Sequence, residues 1–96
     1  MGSQDLLFPN KIQLEQNYPN PFNPSTTISY TIPKRMFVSL KIFDILGREI
    51  EFLVREYQQA GQHKIKYKGD NINSGIYFLV LQADDITIAE KISFIK

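Results

Sequence analysis

Six consecutive apolar or aromatic residues, Ile76-Tyr77-Phe78-Leu79-Val80-Leu81, follow the turn signal Asn73-Ser74-Gly75. A strand of this composition is hydrophobic on both faces, which places it in the middle of a sheet. The run is short and mixes β-branched with aromatic residues behind a glycine, features that favour a strand over a helix. The rest of the chain has to cover this segment. With 96 residues there is room for one core only, close to the size of a small β-sandwich at about 100 residues. A chain this short buries roughly 60–65 % of its unfolded surface and folds alone with a narrow margin.

At the N-terminus, Met1-Gly2-Ser3 reads as a cloning remnant, and residues 4–10 show no sustained period although they contain Leu6, Leu7 and Phe8. Residues 1–11 are therefore read as linker and 12–96 as the folded domain. Ile12 and Leu14 alternate with polar neighbours and suit a first edge strand. In Tyr18-Pro19-Asn20-Pro21-Phe22-Asn23-Pro24 the three prolines rule out a helix and a full ladder of sheet hydrogen bonds. A stiff, extended connector is expected there, with Tyr18 and Phe22 pinning it to the core.

From Ser25 the pattern turns two-fold, with Ile28, Tyr30 and Ile32 alternating against Thr27, Ser29 and Thr31. A turn at Lys34-Arg35 precedes a strand over Met36 to Phe43 that directs Val38, Leu40 and Ile42 to one side. Asp44-Ile45-Leu46-Gly47-Arg48 reverses the chain, since aspartate caps such turns with its side chain and Gly47 supplies a positive φ. Glu49 to Tyr57 fits two periods. Ile50, Phe52 and Val54 suit a strand, and Ile50, Leu53, Val54 and Tyr57 suit a helix. The strand is preferred because short strands with regular turn signals flank it. Next, His63, Ile65 and Tyr67 alternate with Lys64, Lys66 and Lys68, and Asp84-Asp85 marks a hairpin tip. The last segment alternates Ile86, Ile88, Ile92 and Phe94, with Glu90 interrupting the apolar register, and is expected beside the central strand. Tyr77 stands where sandwich domains place a tyrosine that bonds back to upstream backbone. The sum is an all-β chain, an immunoglobulin-like antiparallel β-sandwich of about seven strands.

Chemistry is harder to find. Cysteine is absent and His63 is the only histidine, so neither a thiolate site nor a clustered metal site can be assembled, and no cofactor or metal is expected. No acidic residue adjacent in sequence orients His63 as a base, and a rim position beside Ile65 and Tyr67 is its expected place. Asp70-Asn71-Ile72-Asn73 fails the spacing of a calcium loop because a ligand position falls on Ile72. The three lysines read as a solvated face that discourages edge pairing. Eleven Lys and Arg against ten Asp and Glu give a net charge of +1, with no pull toward nucleic acid. No segment is long and apolar enough to span a bilayer as a helix, so no direct membrane insertion is expected. The five tyrosines and seven phenylalanines are spread through the strands and are expected mostly in the core.

Several motifs in order carry a resemblance that runs from Leu14 to Lys96. They are Leu14-Glu15-Gln16-Asn17-Tyr18-Pro19-Asn20-Pro21-Phe22-Asn23-Pro24-Ser25-Thr26-Thr27-Ile28, Ile42-Phe43-Asp44-Ile45-Leu46-Gly47-Arg48, Ala60-Gly61-Gln62-His63, Ser74-Gly75-Ile76-Tyr77-Phe78, and Lys91-Ile92-Ser93-Phe94-Ile95-Lys96. Together they resemble the type A C-terminal sorting domain of the type IX secretion system. The resemblance implies a non-catalytic tail of a larger cargo protein in a bacterium of the Bacteroidetes type. In that family the tail passes through the periplasm, addresses its cargo to an outer-membrane translocon, and is usually removed by a sortase-like peptidase, leaving the cargo at the cell surface or secreted. The family's motif positions fall on Asp44, Gly47, Gly61, Ser74, Gly75, Tyr77, Phe78, Lys91 and Lys96. Two positions depart from the common pattern, Tyr67 for a tryptophan and Leu79 for a second aromatic. The expected recognition surface is the final hairpin with Lys91 and Lys96, and Phe78 is expected in the core. An unpaired final strand leaves room for strand swapping or a homodimer. The alternative is an immunoglobulin-like spacer or adhesion module binding carbohydrate or protein. An exposed aromatic row would favour it, and burial of Tyr30, Tyr67 and Tyr77 would count against it.

Overall fold

The computed structural model describes residues 11–96, so residues 1–10 of the expected remnant and linker lie outside the described residues. Seven strands form, β1(Gln13–Leu14), β2(Ser25–Ile32), β3(Met36–Asp44), β4(Glu49–Gln58), β5(Gly61–Lys68), β6(Gly75–Ala83) and β7(Ile86–Phe94), with no helix among the described residues. They make two antiparallel sheets, β1-β2-β5 and β4-β3-β6-β7. The fold is an immunoglobulin-like β-sandwich. The apolar run lies in β6, flanked by β3 and β7. Leu79 and Leu81 of β6 meet Ile28, Ile32, Val38, Leu40, Ile42 and Ile92 in a closed core.

Side-chain alternation puts Tyr77, Leu79 and Leu81 inside and turns Ile76, Phe78 and Val80 to the outer face. Among the described residues no second layer covers that face. Phe78 is therefore half-buried, opposite Phe43 and Lys91 in register, and not in the core as its apolar run suggests. The β6–β7 hairpin turns at Asp84-Asp85, with Asp84 at φ 54°. Glu90 does not break the register of β7; it takes an inward position near the sheet edge, opposite Leu79.

Edge strand β4 is a strand, but it does not keep one face. Leu40 pairs with Val54 and Lys41 with Phe52, so Leu53 is extra; Ile42 pairs with Glu51 and Phe43 with Glu49, so Ile50 is extra as well. These two bulges turn Phe52 outward at 49 % exposure and Glu51 inward, while Val54 stays buried. The uniform Ile50–Phe52–Val54 face is thus replaced by one in which Glu51 accepts a hydrogen bond from the Tyr67 hydroxyl at 3.2 Å.

The proline-rich segment bends repeatedly where an extended run is expected, and it joins the two sheets. Tyr18 bridges to Thr27 of β2, and Phe22 bridges to Phe94 of β7. Of its aromatics only Phe22 enters the core, tilted against Phe94 at 4.9 Å and edge-on to Tyr67 at 6.1 Å. Tyr18 is 81 % exposed and pins the segment through backbone bonds alone. Buried Asn17 holds the crossing, donating from Nδ2 to Thr26 Oγ1 at 2.8 Å and to the Pro19 carbonyl at 3.2 Å; the Thr26 hydroxyl donates to the same carbonyl at 2.8 Å. A buried amide with its donors satisfied fixes the path of a segment that cannot join a ladder.

Candidate functional site

One end of the sandwich carries the ends of β1 and β2 nearest the linker, together with Gly61 and the Asp84 turn; the other carries the β3–β4 turn and the loop entering β6. The second end is built around Asp44. Its Oδ1 accepts the amides of Leu46 and Arg48, both at 2.9 Å, and its Oδ2 accepts Arg48 Nε at 2.7 Å. Backbone bonds from the Asp44 amide to the Arg48 carbonyl and from the Gly47 amide to the Asp44 carbonyl close the turn, with Gly47 at φ 82°. A side chain there would meet no neighbour, so the glycine is required by conformation alone. The Arg48 amide, the Arg48 guanidinium and the Leu46 amide hold the Asp44 carboxyl below the usual aspartate range. The turn presents Ile45 and Leu46 at 69 % and 73 % exposure. That is an apolar tip held in one conformation.

Beside it, Tyr77 lies opposite Asp44 in register, and its hydroxyl donates to the Asn73 carbonyl at 2.6 Å, the upstream bond expected of a tyrosine in this place. Ile72 is buried and anchors the loop by packing. Ser74 Oγ accepts the Lys96 amide at 2.8 Å, and Gly75 lies opposite Phe94. The Asn20 side chain accepts the Ser93 amide at 2.9 Å. Between the β3–β4 turn and the start of β6 opens a cleft of about 680 Å³, lined by Leu46, Arg48, Ile50, Asn73, Ile76 and Tyr77, among others.

The structure therefore brings Asp44, Gly47, Ser74, Gly75, Tyr77 and Lys96 to one end, with Phe78 and exposed Lys91 adjacent on the outer face. Gly61, at φ 127° and opposite Ile32, sits at the other end, in the turn from β4 to β5. Sequence reasoning missed Asn17, Thr26 and Asn20, which tie the proline segment down, and Gly69, whose Cα faces the Phe94 ring so closely that an added methyl would lie 2.9 Å from it. Asn17 and Asn20 stand inside the proline-rich motif, but nothing local in sequence announces partners on β2 and β7.

The other candidates settle as packing. His63 stacks on Tyr30 with centroids 5.3 Å apart, and its Nε2 lies 2.8 Å from the Gln59 carbonyl, a rim position. Tyr30, Tyr67 and Tyr77 are all buried. Among the exposed aromatics, Arg35 covers the Tyr57 ring at 4.5 Å and Arg55 the Phe52 ring at 3.9 Å, while Phe37 packs edge-on against Tyr57. Phe37, Phe52 and Tyr57 nevertheless stay partly exposed on the outer face of β3 and β4, with an arginine over one face of Tyr57 and of Phe52.

A family model described as the secretion system C-terminal sorting domain matches residues 16–96. The chain belongs to that family, the type IX sorting domains. No curated protein and no solved structure matches it. The match begins at Gln16, at the entry to the proline-rich crossing, so the sorting-domain signature covers both sheets. Membership makes this domain part of a larger exported protein and implies contact with the type IX machinery, with the cell surface or the medium as destination.

Proposed function

We propose that this sorting domain is a non-catalytic address label which folds in the periplasm, delivers a cargo attached ahead of it to the outer-membrane type IX translocon, and is then cut off by a sortase-like peptidase. The family match over residues 16–96 carries the reading. The arrangement of the motifs supports it. Gln13 lies opposite Thr31 at one end of β2, whereas the Asp44 turn, Ser74, Gly75 and Lys96 gather at the other. Eight or nine residues of strand at about 3.3 Å each keep cargo and address roughly 25–30 Å apart, so a bulky cargo leaves the address uncovered.

Domain limits follow the same division, with residues 12–96 as the label and 1–11 as the linker that is cleaved. Lys91 and Lys96 belong to the recognised surface, while Gly47, Gly75 and Tyr77 act by shaping turns and core. The test is a fusion of the complete chain behind a periplasmic reporter in a type IX-competent bacterium. Surface or secreted reporter, with the tail removed, is the expected result; reporter retained in the periplasm overturns the reading.

A further inference from the structure

We propose that the distal cleft binds an extended, aliphatic stretch of a partner polypeptide, which adds backbone hydrogen bonds to Ile45 and Ile76 where the sheet stops pairing. The proposal rests on the sorting-domain reading and names the surface through which the machinery takes hold.

The orientation of the backbone shows where pairing stops. On β7, Ser93 sends its amide to Asn20 and its carbonyl to Phe22, and the Ile95 amide also reaches Phe22, so odd-numbered residues there face away from β6. The Lys96 amide, bonded to Ser74, faces the β6 side. Because Ile92 lies opposite Tyr77 and Phe94 opposite Gly75, alternation turns the backbone of Ile76 and Phe78 toward β3. Phe78 meets Phe43 there. The next rung would join Ile76 to Ile45, yet the β3–β6 register ends at Asp44 and Tyr77.

Asp44 causes the break. Its own amide and carbonyl are committed to Arg48 and Gly47 on the β4 side, which leaves the Ile45 backbone facing β6 while the turn carries it off. Among the described residues no backbone hydrogen bond joins Ile45 to Ile76. The cleft occupies that gap, and its walls carry Ile45, Leu46, Ile50 and Ile76, at 69, 73, 39 and 43 % exposure. An unpaired donor and acceptor between aliphatic side chains match an extended peptide, which supplies both backbone groups and apolar side chains. A lipid tail supplies only the apolar part, and a sugar supplies neither aliphatic surface nor the alternating amide pattern. The volume, about 680 Å³, lies within the usual range of binding clefts, about 300–1,000 Å³.

The test uses the complete chain as a C-terminal fusion in a type IX-competent bacterium, comparing Leu46→Asp and Ile76→Lys with Ile86→Lys, an exposed apolar position at the other end. Thermal melts of the purified variants establish that they fold, and Leu46→Ser with Ile76→Thr are read instead if the charged pair does not. Export is expected to fall about tenfold or more for the cleft variants, equivalent to roughly 1.4 kcal/mol of binding, and to stay unchanged for Ile86→Lys. Since the chain has no cysteine, Leu46→Cys carrying a short cross-linker is expected to join an outer-membrane subunit of the translocon. Full export of folded cleft variants overturns the inference and leaves the sorting role standing; so does equal loss at Ile86, or a second copy of this chain as the cross-linked species. Failure of the parent fusion to be exported overturns both.

Discussion

Asp44 accepts three hydrogen bonds inside its own turn, and those bonds decide where Ile45 and Leu46 point. Its pKa is lowered in the folded state, so its contribution is present above the unfolded aspartate range and is lost as pH falls through the lowered value. Protection of the Leu46 and Arg48 amides, taken as the ratio of intrinsic to observed exchange rate at each pH, is expected to fall on acidification, and Asp44→Ala should show the low protection already at neutral pH. Unchanged exchange in that variant would mean the turn is held by Gly47 and packing alone. Tyr30 has the opposite sign. Burial pushes its pKa up to about 12, against the lowering by its bond to Gln58. Folded Tyr30 thus keeps its proton after the unfolded residue, at about 10, has lost it. Stability is full below that value and falls as pH rises toward 12. Tyr67 is raised as well, mainly by burial and then by Glu51. Urea titrations between pH 8 and 11.5 should show this loss, and Tyr30→Phe should flatten part of it. At Gly69 the sequence suggests only a turn, whereas the constraint is a tight approach to Phe94. Gly69→Ala is expected to cost about 1–3 kcal/mol by overpacking, measured as a lowered urea midpoint.

The proline-rich crossing is the element that ties the layers together. Phe22→Ala is expected to cost about 3–5 kcal/mol, because the ring is 1 % exposed between Tyr67 and Phe94. Asn17→Leu leaves the Thr26 hydroxyl oxygen without its buried donor and the Pro19 carbonyl with only the Thr26 hydroxyl, a loss of about 1–3 kcal/mol; an unfolding midpoint equal to the parent's would show that the crossing holds without it. The central place of β6 was legible because six apolar residues in a row admit few other positions. The alternating β2, β3 and β5 were legible through a period of two. The facing of β4 was not, because the residues inserted at its bulges are Ile50 and Leu53, apolar like their neighbours, and the two-fold pattern carries no mark of them. The course of residues 17–23 was equally hidden, since their partners Ser93 and Ile95 lie at the far end of the chain. Phe78 was misplaced for a related reason: an unbroken apolar run does not tell which half of a strand meets a second layer.

Across the whole molecule, the candidate site became visible in sequence only as separated motifs, and the antiparallel order collects all of them but Gly61 at the end away from the linker. Composition held no trace of the cleft, which exists because β3 stops one rung before β6 begins. Strand β5 is an edge with Lys64, Lys66 and Lys68 exposed along one face. Replacing the three lysines by serine is expected to promote self-association, visible by sedimentation; a monomer at all concentrations would assign edge protection elsewhere. The bonds from Phe22 to Ser93 and Ile95 also bear on timing. The two layers are sewn together by residues from opposite ends of the label, so the stitch cannot be made while the ribosome still conceals residue 95. A domain of this build stays loose until residue 95 has emerged, and nascent chains halted before Ser93 should remain open to protease.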